Sequence, residues 1–151
     1  MLKKNRVEVH IPIDIIAADK FSNDSNTQIV NANEIPQGWM GLDIGPKSIQ
    51  TINAILLKSK TILWNGPVGV FELEKFENGT KQLGQTIAQI TEKGAYSLVG
   101  GGDSVAAVKK FNLTTKMSYV STGGGALLEM LEGKTLPGIK AILDEEIKEN
   151  S

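Results

Sequence analysis

A glycine-rich turn joins a predicted strand to a predicted helix. The apolar run Tyr96–Val99 ends at Gly100-Gly101-Gly102, and Asp103 and Ser104 then open an amphipathic stretch. Glycine lets a ligand approach the main chain, while Asp and Ser are favoured at helix N-termini. Free N–H groups and partial positive charge at such a terminus attract anions. The turn is therefore a candidate site for a phosphate group.

Asp103 has two interpretations at this position. A carboxylate beside bound phosphates is explained by a cation such as Mg²⁺ between them, which would make Asp103 a metal ligand. Glycine-rich turns between a strand and a helix also occur in α/β proteins that bind no nucleotide, and there the Asp is an ordinary helix cap. The turn by itself leaves both interpretations open.

Two further segments have the composition of ligand-binding loops. The strand, three glycines and helix occur again around Gly123-Gly124-Gly125, so two helix N-termini at one sheet edge would face one polyphosphate from two sides. The predicted strand Thr61–Trp64 leads into Asn65–Glu72, where two glycines and a proline predict a rigid, exposed loop. Its mixture of polar and apolar side chains favours a ligand wall over a plain surface connection.

The elements that position these groups alternate between strands and helices. Apolar residues at helical spacing follow Pro46 and Asn78, and Gly94 stands where the second helix should end. The runs Ile15–Ala18 and Thr27–Val30 predict a β-hairpin outside the main sheet. The pattern predicts an α/β fold with an open, mainly parallel, twisted sheet, Rossmann-like, with helices on both faces. Five parallel strands are predicted, near residues 7–11, 39–44, 61–64, 96–99 and 118–120.

The composition of the 151-residue chain excludes several classes of protein. A net charge of -1, with basic residues scattered along the chain, argues against a nucleic-acid partner. The chain has no cysteine and a single histidine, His10, which excludes disulfides, thiolate metal sites and a histidine zinc cluster. No stretch approaches the about 20 apolar residues of a membrane span. We expect one domain in a cytoplasmic protein without nucleic-acid or membrane partners.

Four segments, in this order, resemble the nucleotide-binding domain of phosphoglycerate kinases. They are Gly38–Pro46, Trp64–Glu72, Gly100–Ser104 and Ser121–Ala126. The resemblance covers nearly all of this chain but only the last part of that two-lobed enzyme. We therefore expect residues 1–151 to be a partial C-terminal nucleotide-binding domain. The N-terminal substrate domain and the Gly-Gly-x-Lys start of the C-terminal domain would be absent.

The resemblance implies a role for each motif. The residues assigned to the nucleotide are Gly41, Leu42, Pro67 and Val70 at the adenine, Glu72 at the ribose, and Asn65 with the main-chain amides of Gly101, Gly102 and Ser104 at the phosphates. Asp103 would hold the Mg²⁺ that accompanies ADP or ATP, and the amides of Gly102 and Gly125 would face the phosphoryl group in transfer. Ser104 stands where many relatives have Thr, and both residues present a hydroxyl.

The implied reaction is the glycolytic transfer of a phosphoryl group between 1,3-bisphosphoglycerate and ADP, which gives 3-phosphoglycerate and ATP. The acid substrate would bind mainly through the absent N-terminal domain, and the full-length enzyme would be a monomer. The 151-residue chain alone is expected to be catalytically inactive. Two alternatives stay open: a stand-alone adenine-nucleotide-binding module, and an α/β domain in which the triple glycines merely turn the chain.

Overall fold

The computed structural model describes residues 7–141, which form two small sheets and the helices packed on them. Within this range no helix is both long enough and apolar enough to cross a bilayer. Residues 137–141 are also helical, and two short 3-10 helices cover Glu74–Phe76 and Thr114–Lys116. The main elements are β1 (Asp14–Ala18), β2 (Thr27–Asn31), β3 (Met40–Ile44), α1 (Pro46–Leu56), β4 (Thr61–Asn65), α2 (Asn78–Glu92), β5 (Tyr96–Gly100), α3 (Gly102–Lys110), β6 (Tyr119–Val120) and α4 (Gly125–Leu131).

The parallel sheet has the order β4-β5-β6. Trp64 pairs with Val99, and these side chains lie in the main apolar core with Ile87 of α2 and Val108 of α3. The helix α4 lies on the opposite face, because a Cβ added to Gly100 would contact its leucine side chains. The predicted α/β fold with helices on both faces of a parallel sheet is confirmed.

The second sheet is antiparallel and has the order β2-β1-β3. The predicted hairpin is its β1-β2 pair, in which Ile15 lies opposite Val30. The prediction of five parallel strands is wrong in two places. The strand near 39–44 is β3, which pairs antiparallel with β1, and residues 7–11 form no strand. Alternation of apolar and polar side chains predicts an extended segment but not the strand with which it pairs. Here residues 7–11 pair with no strand of the described chain, and Ile11 is 76% exposed.

The first turn of α1 is capped by a carboxylate from another element. Gly45 at its N-cap supplies no side chain, and Pro46 follows at the first helical position. The carboxylate of Asp14 accepts hydrogen bonds from the amides of Lys47 at 3.0 Å and Ser48 at 2.8 Å, and from the Ser48 hydroxyl at 2.6 Å. Strand β1 thereby supplies the acceptors that the helix start requires.

The first turn of α2 is capped in the same way. Glu77 at its N-cap makes no side-chain capping bond. Asp43 of β3 accepts hydrogen bonds from the amide of Gly79 at 2.8 Å and from that of Ile44 at 2.9 Å, and its side chain is buried. The first turns of α1 and α2 are therefore both capped by carboxylates of the antiparallel sheet.

The two carboxylates differ in proton affinity. Burial tends to raise the pKa of Asp14, but the hydrogen bonds from Ser48 and Lys47 outweigh it and hold that pKa below its ordinary value. Burial raises the pKa of Asp43 to about 6, because its two main-chain hydrogen bonds offset only part of the cost of burying the charge. Asp43 therefore titrates nearer to neutral pH than an exposed aspartate.

We predict that Asp14→Asn lowers the free energy of unfolding by about 1–3 kcal/mol, because a neutral amide cannot accept all three hydrogen bonds. Denaturant titration measures the change. Asp24→Asn, at an exposed aspartate, is the control and should leave the free energy within about 0.5 kcal/mol of wild type. Equal stability of Asp14→Asn and wild type would contradict the capping role.

A second prediction concerns the pH dependence of stability. Because the folded-state pKa of Asp43 lies above the ordinary value of 3.8, its contribution is fully present below pH 3.8 and is lost as the pH rises through about 6. Relative to Asp43→Asn, wild type should thus lose stability on the order of 1–3 kcal/mol between pH 4 and pH 7. Unfolding titrations of both proteins across that range test this, and a constant difference between them would show that the pKa is not raised.

Candidate functional site

The parallel register brings the predicted loop and the predicted glycine turn side by side. Asn65 at the end of β4 pairs with Gly100 at the end of β5. The Asn65 side chain lies against the next glycine, since a Cβ added to Gly101 would stand 2.6 Å from its Oδ1. Asn65 is exposed at this end of the strands. The residues predicted to bind phosphates therefore gather at one edge.

Gly66 fastens the start of the loop to α3. Its φ of 104° lies in the left-handed region that favours glycine. Its amide donates a hydrogen bond to the Ser104 hydroxyl at 2.6 Å, and its carbonyl accepts one from the Trp64 indole at 2.8 Å. Ser104 is fully buried. The Ser104 hydroxyl therefore holds the start of the loop against α3.

A cleft of about 270 Å³ lies between β3 and the loop. The amide of Val70 donates a hydrogen bond to the carbonyl of Leu42 at 2.8 Å and so joins the two walls. Glu72 follows at the exposed end of the loop. All four residues predicted for the adenine line this cleft, whose lining is Ile15, Gly41, Leu42, Asp43, Ile44, Pro67, Val68, Gly69 and Val70.

At Gly102, no neighbouring group of the described chain covers the main chain of the glycine turn. Gly101 has φ 89°, which explains a glycine there, whereas a Cβ added to Gly102 or Gly125 would meet nothing within 4 Å. The amide of Val105 bonds to the carbonyl of Gly101 at 3.1 Å, so the preceding amides have no partner within the helix. The first turn of α3 therefore presents accessible N–H donors.

Asp103 does not act as an ordinary helix cap. It is exposed, and α3 has no side-chain capping bond among residues 7–141. Its carboxylate stays beside the helix terminus, where negative charge is favoured by the helix dipole.

The two glycine-rich turns meet at a common hollow of about 230 Å³. Gly102 and Lys109 of α3 line one side, and Ser121, Thr122 and Gly124 line the other. Gly125 begins α4 immediately beyond this hollow. The geometry matches the expectation that two helix starts approach one region from two sides.

Lys110 joins the far end of the loop to the helices. Its ammonium group donates a hydrogen bond to the carbonyl of Phe71 at 2.5 Å and pairs with Glu77 at 2.8 Å. The hydrogen bond from Lys110 holds the pKa of the Glu77 carboxyl below its ordinary value. The loop is thus fixed by α3 at both ends, through Ser104 and Lys110.

Three residues of this arrangement are missed by sequence reasoning: Asp43, Thr80 and Lys110. An aspartate between Leu42 and Ile44 in an apolar strand is a usable signal, because a buried carboxylate requires hydrogen-bond partners. No comparable signal marks Thr80, which reads as part of a helix start.

A larger cavity of about 660 Å³ lies between α1 and the segment containing Glu8 and His10, and none of the predicted site residues line it.

The carboxylate near the glycine turn suits a metal ion that is held partly by a ligand bound beside it. Residues 7–141 hold no cluster of three or more His, Cys, Asp or Glu side chains suited to a metal ion. One exposed carboxylate, Asp103, stands at a helix start open to phosphates. Mg²⁺ in proteins is commonly held by one or two carboxylates together with substrate phosphates and water. The residues present therefore fit a Mg²⁺ ion held by one carboxylate together with phosphates and water.

Comparison with known proteins gives one family. The family model described as phosphoglycerate kinase matches residues 1–134. The phosphoglycerate kinase of Porphyromonas gingivalis is 59% identical over 136 residues, which are 90% of this chain and 32% of the relative. "Phosphoglycerate kinase 3, cytosolic" of Arabidopsis thaliana is 55% identical over 95% of this chain and 35% of the relative. The chain spans about a third of the length of the curated relatives it matches.

Solved structures agree with the sequence comparison. The phosphoglycerate kinase structure from Coxiella burnetii matches with a TM-score of 0.86 and 45% identity, over 95% of this chain and 36% of that one. The structure from Pyrococcus horikoshii matches with a TM-score of 0.75 and 30% identity, over 94% and 34%. With the family model matching most of its length, this chain belongs to the phosphoglycerate kinase family.

Proposed function

We propose that this chain binds the Mg²⁺ complex of ADP or ATP as part of a glycolytic phosphoglycerate kinase. The observation that carries the proposal is the cleft in which Gly41, Leu42, Pro67 and Val70 meet. Its walls combine apolar side chains with bare main chain, which suits a flat heterocycle with polar edges. Glu72 follows at the exposed end, where a carboxylate would accept hydrogen bonds from ribose hydroxyls.

The phosphates would lie at the start of α3. The main-chain amides of Gly101, Gly102 and Ser104, together with the Asn65 side chain, would contact them, and the pairing of Asn65 with Gly100 at the strand ends supports this assignment. The open space around Gly102 supports this placement, because neither packing nor a positive φ calls for glycine at that position. Backbone amides and the helix dipole together stabilise bound anions.

Asp103 is the residue proposed to hold Mg²⁺. The ion would supply charge neutralisation for the nucleotide phosphates. Without a cation, the carboxylate would repel the phosphates at the same helix start. The exposed Asp103 side chain, with no capping bond in the described part of the chain, supports this role.

The proposed reaction moves a phosphoryl group reversibly between 1,3-bisphosphoglycerate and ADP, giving 3-phosphoglycerate and ATP. The amides of Gly102 and Gly125 would face the transferring group from the two glycine turns that share one hollow. Phosphoryl transfer depends mainly on positioning and on fixed donors, so no general base is assigned. A module that binds nucleotide without catalysis would use the same residues and differ only in turnover.

The remaining proposals concern the longer protein. The acid substrate would bind mainly through a domain outside this chain, and the whole enzyme would be a cytosolic monomer. The relatives are about three times as long as this chain, which supports assigning the second substrate elsewhere. Catalytic inactivity of the isolated chain stays a prediction.

We predict that Glu72→Ala weakens adenosine and ADP binding by the same amount, about 1–3 kcal/mol, because both ligands carry the ribose. Isothermal titration calorimetry measures both affinities. Glu74→Ala, an exposed carboxylate two residues further along, is the matched control and should bind like wild type. Undiminished ADP binding by Glu72→Ala would show that the ribose assignment is wrong.

Asp103→Asn should weaken Mg-ADP more than metal-free ADP. We expect a loss of at least about tenfold for the metal complex, since even indirect partners of a bound metal commonly contribute that much. Titrations with Mg²⁺ and with EDTA separate the two cases in the same variant. An equal change under both conditions would reduce Asp103 to an acidic residue that interacts only with the helix dipole.

A further inference from the structure

One side-chain hydroxyl accepts hydrogen bonds from two neighbouring main-chain amides of the loop that forms the cleft. Val68 and Gly69 both donate their main-chain N–H groups to Oγ1 of Thr80, each at 3.2 Å. Thr80 is fully buried in the first turn of α2, and it lies more than ten residues further along the chain than Val68 and Gly69. Two consecutive amides directed at one atom fix the orientation of the intervening peptide. The loop therefore takes its conformation from a residue outside it.

The local chemistry of α2 does not explain this hydroxyl. A threonine near a helix start commonly accepts a hydrogen bond from an amide of its own helix. In α2 the N-cap residue makes no side-chain capping bond, and the Thr80 hydroxyl accepts from the loop instead. The neighbouring Gly79 is held by Asp43 at 2.8 Å. A Cβ added to Gly69 or Gly79 would overlap the Asp43 carboxylate. Asp43 and Thr80 thus occupy adjacent positions between the loop and α2.

These two side chains link opposite walls of the cleft. Asp43 belongs to β3, which carries Gly41 and Leu42 on one wall, and Thr80 holds the loop that carries Pro67 and Val70 on the other. Both side chains contact the same helical turn. The first turn of α2 therefore holds both walls, in addition to the direct hydrogen bond between Val70 and Leu42.

We infer that Thr80 and Asp43 are positioning residues for the nucleotide site, which set the width of the cleft and with it the affinity for the nucleoside part of the ligand. The inference rests on the proposed function. Thr80 does not line the cleft, whereas Asp43 does, and the role inferred for both is to hold the walls. The phosphate contacts at α3 depend on other groups. A defect here should appear equally in adenosine and in ADP.

The test compares Thr80→Val, which keeps the shape and removes the hydroxyl, with Thr80→Ser, which keeps the hydroxyl. Affinities of the full 151-residue chain for adenosine and for ADP with Mg²⁺ are measured at a temperature where circular dichroism shows every variant folded. We expect Thr80→Val to lose about tenfold for both ligands and Thr80→Ser to stay within about twofold of wild type. Wild-type affinity in Thr80→Val, or an equal loss in Thr80→Ser, would overturn the inference.

A ligand-free measurement separates loop positioning from general destabilisation. Amide hydrogen exchange of Val68 and Gly69 should accelerate about tenfold in Thr80→Val, while the amides of β5 keep their wild-type rates. Unchanged exchange at those two amides would overturn the inference whatever the binding data show. Absence of any binding by the wild-type chain would contradict the proposed function itself, and the inference would fall with it.

A second pair of variants tests the same inference if Thr80→Val does not fold. Asp43→Asn leaves one of two amides without a good acceptor beside the cleft, and Asp14→Asn does the same at α1, outside the cleft. Both should lower stability, but only Asp43→Asn should weaken adenosine, by about tenfold. Equal adenosine affinity in the two variants would contradict a positioning role for Asp43.

Discussion

Two buried carboxylates join the two sheets of this protein. The starts of α1 and α2 have no capping side chain of their own, and Asp14 and Asp43 supply the acceptors from strands of the antiparallel sheet. Helix starts require such acceptors, and buried carboxylates require such donors. Each interaction therefore gives a helix start its acceptors and fixes the antiparallel sheet against the helices that cover the parallel sheet.

The candidate site depends on this junction. Its cleft has one wall from each part of the fold, and the loop Gly66–Glu72 is fastened to Leu42, Thr80, Ser104 and Lys110. These contacts come from three separate elements, β3, α2 and α3, so the loop is ordered before a ligand binds. A preformed loop lowers the entropic cost of binding. The proposed phosphate contacts need less support, because a helix start provides its donors without further folding.

Local signals in the sequence predicted local structure well. Pro46 and Gly94 mark the observed limits of their helices, and the polar cluster after Ala18 separates the two strands of the hairpin. Strand partners could not be predicted, because alternation in residues 7–11 is compatible with any partner or with none. That the cleft residues lie together was predicted only from the resemblance of their motifs to a family. The role of Thr80 joins residues distant in sequence, and nothing in its neighbours indicates the contact.

The central claim is that one ligand occupies the cleft and the start of α3 together. The most direct test is to follow backbone amide chemical shifts of the isotopically labelled chain during titration with Mg-ADP. The account predicts that the amides of Val70, Gly102 and Ser104 shift along one saturation curve with a single dissociation constant. Shifts confined to the larger cavity near His10, or cleft and helix-start amides that saturate at different concentrations, would contradict it.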